Sequence, residues 1–138
     1  MRSIQLMRMA VIALLFMGTI RAQVIVANGS VRIAEINKSD LAEIFTGAST
    51  SFSDGSQAVP VTLKGGPVHE AFLKEYVGKK ELLFRGNWRV LVFEGKGTMP
   101  KAFAGDEELL HYIATVPGAI GYVGTAPHGG QVKVINVK

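Results

Sequence analysis

The residues best placed to do chemistry are Lys64-Gly65-Gly66-Pro67 and the two that follow, Val68 and His69. Where a chain turns from strand to helix through glycines, the first backbone N–H groups of the helix have no intrahelical partner and no side chain shields them. Such amides form a cradle for an anion. Here the amides of Gly65, Gly66, Val68 and His69 would be the donors, Lys64 the charge, and the His69 side chain a second polar contact. An ordinary β-to-α corner is the competing reading, because short Gly-rich turns are common.

The flanking elements are legible. Val59, Val61 and Leu63 alternate with Pro60 and Thr62, the pattern of a strand with one buried face, and Pro60 suits a strand start or edge. Pro67 fits the first helical position, where its missing N–H costs nothing. Val68, Phe72, Leu73 and Tyr76 share one helical face, with His69, Glu70, Lys74 and Glu75 mostly off it.

Elsewhere, strands and helices alternate. Gln23–Ala27 reads as the first strand, followed by an irregular 28–35 stretch. A short helix then opens with Ser39 as cap and Asp40 in the first turn, buries Leu41, Ile44 and Phe45, and stops at Gly47. Asp54-Gly55 is a turn. Gly78 ends the 67–77 helix. Lys79–Phe93 is a longer helical pattern with Leu82, Leu83, Phe84, Trp88, Leu91 and Val92 as core, and Gly86 within it implies a close contact or a break. Glu94–Pro100 is a loop. Asp106 is expected to cap a helix burying Leu109, Leu110, Tyr112 and Ile113, which Pro117-Gly118 stops, and Ala119–Val123 and Gln131–Val137 are the last strands. This order predicts an α/β or compact α+β domain.

Residues 1–22 stand apart. Arg2 and Arg8 precede the apolar run Met9–Ile20, which is short for a membrane span, and Ala22 offers a small residue for cleavage. The expectation is a signal peptide cut near Ala22, with an uncleaved N-terminal anchor as the alternative, and one domain over 23–138. Loss of Arg2, Arg8 and Arg21 lowers the 15 basic residues to 12 against 11 acidic ones, a net of about +1, so charge makes no strong case for nucleic-acid or anionic-membrane binding. No membrane span is expected after cleavage.

Several chemistries are excluded. There is no cysteine, hence no disulfide, thiolate metal site, cysteine nucleophile or lipidated N-terminal cysteine. His69, His111 and His128 lack metal-ligand spacing, so no metal is expected. Asp106-Glu107-Glu108 is explained by the positive end of a helix. No nucleophile elbow, phosphate-binding loop or dinucleotide fingerprint occurs, so neither an enzyme nor a cofactor is expected. Lys64, Arg85, Arg89, Lys96 and Lys101 could add anion-binding charge, although scattered cations are usually solvated surface.

Three phrases together resemble the substrate-binding proteins of phosphate ABC transporters. They are Asp40-Leu41-Ala42-Glu43-Ile44-Phe45-Thr46-Gly47 followed by Phe52-Ser53-Asp54-Gly55, then Phe93–Pro100, then Thr115–Val123. Their order spans essentially all of 23–138 and is similar to the small single-lobe members. The resemblance implies a single lobe of a type II periplasmic binding protein-like fold, with a mixed central sheet flanked by helices. It also implies a periplasmic location, a small oxyanion such as phosphate as ligand, and an ABC permease or other envelope protein as partner. In the full-length family an arginine and a Ser-Gly-Thr run hold the oxyanion at this corner. Counting back from Phe72, the run falls on Gly66-Pro67-Val68, so both hydroxyls and one amide are missing, and the neighbouring sequence holds no arginine. Phe52 also stands where the pattern has tryptophan. An accessory module that keeps the fold and has lost the solute is therefore the second expectation. The sequence leaves the oligomeric state open.

Overall fold

A computed structural model describes residues 23–138, and the signal peptide expected over 1–22 lies outside the described residues. The central strand is β1 (Val24–Asn28). β6 (Ala119–Val123) and β7 (Val132–Val134) flank it antiparallel, and β3 (Val59–Pro60) runs parallel to β6 at the edge, giving the order β3-β6-β1-β7. The sheet is therefore mixed. Two short parallel pairs complete the strands: β2 (Glu35–Ile36) with β8 (Asn136–Val137), and β4 (Thr62–Leu63) with β5 (Ala102–Phe103). The helices are α1 (Lys38–Thr46), α2 (Pro67–Phe72), which runs on as a π-helical turn over Leu73–Val77, α3 (Glu81–Phe93) and α4 (Asp106–Thr115).

Every residue of β6 is buried, so both faces of the sheet centre are covered. Successive side chains alternate between faces. Tyr122 points to Phe45 of α1 and Phe72 of α2, with its ring stacked on Phe72 at 3.8 Å and 8°. Gly121 points the other way, where a Cβ would lie 3.0 Å from Ile113 and Val61 and 3.2 Å from Leu109. Glycine there lets α4 lie close against the sheet.

Local signals mostly carry through: Leu41, Ile44 and Phe45 are buried, Gly47 and Gly78 end their helices, and Pro67 opens α2. The differences have physical causes. The 59–63 run splits at Val61 because β3 pairs with the main sheet and β4 with β5, and Thr62 is buried along with Val61 and Leu63. Asn37 rather than Ser39 precedes α1, and it makes no side-chain cap bond. Gly105 precedes α4, and Asp106 spends its carboxylate on the Gly124 N–H at 3.0 Å, tying the helix start to the end of β6. Gln131–Val137 divides into β7 and β8, which pair with different partners.

The largest correction concerns α3. Of its expected core, Phe84 and Trp88 are buried and Leu91 is partly buried, while Leu82, Leu83 and Val92 are exposed. Phe84, Trp88 and Leu91 form one stripe at i, i+4, i+7, and the stripe at Trp88 and Leu91 meets the C-terminal end of α1, where Gly47 lies against both. Gly86 neither breaks the helix nor touches anything within 4 Å of its Cβ position.

Candidate functional site

The Lys64–His69 corner has the backbone form expected. Lys64, Gly65 and Gly66 are exposed, and Gly66 has φ 94°, which a side-chain-bearing residue would adopt only with strain. The first i→i−4 bond of α2 runs from the Glu70 N–H to the Gly66 carbonyl at 3.0 Å. The amides of Gly65, Gly66, Val68 and His69 form no hydrogen bond among the described residues. Val68 is half-buried.

The His69 side chain is not at this surface. It is 2% exposed and both ring nitrogens are taken. The Leu63 N–H donates to the Tyr122 hydroxyl oxygen at 3.1 Å, and that hydroxyl donates to His69 Nδ1. His69 Nε2–H then donates to Glu81, whose second oxygen accepts from Arg85 Nε. With the Leu63 N–H and the Glu81 carboxylate fixed as donor and acceptor at the two ends, this tautomer leaves no member of the chain unpaired. The result is a continuous polar line from the sheet centre to the surface of α3, built between β4, α2, α3 and β6. Helical spacing alone places His69 with Phe72, Leu73 and Tyr76 at i, i+3, i+4 and i+7, so its burial was readable from position, although its polarity argued the other way.

The corner also has an arginine. Arg85 Nη2 donates to the Lys64 carbonyl at 3.4 Å, although 21 residues separate the two. Arg85 and Arg89, one helical turn apart, line a cleft of about 130 Å³ beside the corner together with Thr62, His69 and Glu81. Lys96 and Lys101 are not part of it: Lys96 pairs with Glu94, and Lys101 lies over the Tyr112 ring. Thr62, Glu81 and Tyr122 escaped the sequence reading as site residues, and Arg85 and Arg89 entered it only as scattered cations. The signals that could have found them are the Glu81-Arg85-Arg89 spacing and a lone phenol within an apolar strand. Among the described residues no three metal-binding side chains gather, and no helix is long and apolar enough to cross a membrane.

Two ionisations are displaced. Burial pushes the Glu81 carboxyl up, but hydrogen bonds from His69 and Arg85 and the charge of Arg85 outweigh it and hold the group below its ordinary 4.5. A lowered carboxylate stabilises the fold above the unfolded-state value and loses that contribution as the pH falls through the folded-state value. Acid titration followed by circular dichroism should therefore show wild type losing stability from about pH 4.5 downward, with a shallower loss in Glu81→Gln. An identical acid limb in both would remove Glu81 from the account. Tyr122 is displaced upward, chiefly by burial and further by Glu81, against the lowering bond from Leu63.

The chain matches no protein-family model and no curated protein sequence. Its fold recurs in solved structures, of which two are described. One, a putative phosphate ABC transporter substrate-binding protein from Clostridium perfringens with bound phosphate, aligns at TM-score 0.61 and 16% identity over 83% of this chain and 44% of its own length. The other, PstS from Borrelia burgdorferi, aligns at TM-score 0.59 and 12% identity over 84% of this chain and 47% of its own. The chain thus spans under half the length of the structures it matches. Both neighbours are transport proteins rather than enzymes. At these identities the likeness is one of fold, and that fold is a mixed α/β sheet flanked by helices, as in one part of the phosphate-transporter substrate-binding proteins.

Proposed function

We propose that this chain is a solute-binding domain of the periplasm, exported with residues 1–22 removed near Ala22, that takes a small oxyanion, phosphate first, for an ABC importer. The observation that carries the reading is the Lys64-Gly65-Gly66 corner, where four unpaired amides lie beside Lys64 and the Arg85 guanidinium reaches the Lys64 carbonyl. The fold shared with two phosphate-transporter proteins supports it. Helix-start amides and a nearby cation are the groups that stabilise a bound oxyanion. Because Lys64, Gly65 and Gly66 are exposed, the anion stays half in water and binding is weak.

Calorimetric titration of the mature chain with phosphate tests this. Heat is expected in wild type and should vanish in Gly65→Asp, which sets a carboxylate in the corner at a position where a Cβ meets nothing within 4 Å. Lys64→Ala should weaken binding about tenfold, the worth of one charge-assisted contact. No heat up to millimolar phosphate would sink the proposal. A second reading, an accessory module that keeps the fold and docks an envelope protein, is favoured by one specific observation. Leu82, Leu83 and Phe93 are 79%, 67% and 93% exposed along α3.

A further inference from the structure

We propose that the cleft between α3 and the β4–β5 pair is a second binding site, one that takes a short-chain monocarboxylate. The inference rests on the cleft alone and not on the phosphate reading of the corner, since Lys64, Gly65 and Gly66 do not line it.

Thr62 carries the first part of the argument. Its side chain lines the cleft and the residue is 5% exposed, yet its hydroxyl forms no hydrogen bond with any described residue. No fully buried side-chain polar atom among the described residues lacks a partner, so this oxygen opens onto the cleft and is free to bond a molecule held there. Charge carries the second. Glu81 engages Arg85 and His69, whereas Arg89 forms no ion pair with a described residue. Two guanidinium groups against one carboxylate leave the cleft one positive charge, which a monoanion neutralises.

The walls select the rest of the ligand. Leu63, Phe84, Met99, Pro100 and Ala102 offer side chains without a hydrogen-bond donor. A bare tetrahedral oxyanion here would lose water around most of its oxygens without replacement. A carboxylate with a short branched tail matches both halves, its head on Arg89 and Thr62 and its tail along the apolar walls. The volume of about 130 Å³ corresponds to on the order of four waters at their share of the liquid, which limits the tail to a few carbons.

The test is a titration of the mature, ¹⁵N-labelled chain with isovalerate, acetate, isoamyl alcohol and phosphate, read by amide shifts and by calorimetry. Isovalerate should bind more tightly than acetate, shift the amides of Thr62, Phe84 and Ala102, and leave those shifts unmatched by isoamyl alcohol. Arg89→Gln, at an exposed position where folding is not at stake, should weaken isovalerate about tenfold. Thr62→Val should weaken it too, and Lys64→Ala and Gly65→Asp should leave it unchanged. Absence of shifts at roughly 20 mM isovalerate, a limit well beyond a millimolar dissociation constant, would overturn the proposal. So would binding indifferent to Arg89→Gln, or displacement of isovalerate by phosphate. Failure of the phosphate reading appears separately, as missing phosphate heat with isovalerate binding intact.

Discussion

Trp88→Ala should destabilise the domain by about 3–5 kcal/mol, the range for deleting a large buried aromatic side chain. Trp88 is 4% exposed, and its indole N–H donates to the Phe45 carbonyl at 2.9 Å. Next to it, the Asn87 amide donates to the Thr46 carbonyl at 2.8 Å. Both carbonyls belong to the last turn of α1, where no intrahelical N–H remains to meet them. Trp88 therefore fills the seam between α1 and α3 and also satisfies the end of α1. Against a total stability of about 5–15 kcal/mol, the loss leaves the fold marginal, with a melting temperature lower by about 12 °C or more. Thermal unfolding followed by circular dichroism measures it. Trp88→Phe, which keeps most of the volume and loses the N–H, should cost about 1–2 kcal/mol. A loss below about 1 kcal/mol for Trp88→Ala would show that α3 is not anchored through this residue. Because Glu81, Arg85 and Arg89 ride on α3, Trp88→Ala should also abolish anion binding at the cleft.

Tyr122→Phe should cost about 2–6 kcal/mol although it leaves the ring stacked on Phe72 in place, because it leaves two buried groups unpaired at about 1–3 kcal/mol each. Those groups are the Leu63 N–H and His69 Nδ1. Chemical denaturation gives the number. Combining the change with His69→Leu should be non-additive by more than about 0.5 kcal/mol, since the two side chains belong to one chain of bonds. Strict additivity would mean that the chain is not a unit. The alkaline side offers a second readout. Burial holds the Tyr122 phenol above its ordinary 10.0, so wild type loses stability as the pH rises past that value. Tyr122→Phe should lack that increment.

Helix ends and inward faces were legible wherever they depend on near neighbours in the chain. Leu41, Ile44 and Phe45 followed from spacing, and Gly47, Pro67 and Gly78 marked their ends through backbone preference. Capping was less secure. Asn37, Ser39 and Asp40 are all acceptable at a helix start, and Asp106 was drawn to Gly124, 18 residues away. α3 misled for a different reason. Apolar residues occur nearly all round it, so periodicity could not say which stripe has a neighbour; the end of α1 selected Trp88 and Leu91, and the His69 ring of α2 meets Phe84.

By itself the sequence determined a single run of alternating strands and helices over 23–138, the absence of any thiol chemistry, and a strand-to-helix corner with open amides at Lys64–His69. These are consequences of residue type and of spacings within a turn or two. Tertiary structure alone decided that His69 turns inward to Tyr122 and Glu81, that Arg85 reaches the Lys64 carbonyl, and that Thr62 is buried at a cleft shared with Arg89. The physical reason is the same in each case. Partners that lie 12 to 53 residues apart meet because the tertiary fold brings side chains of α2 and α3 to Leu63 and Tyr122, and no local preference encodes that meeting.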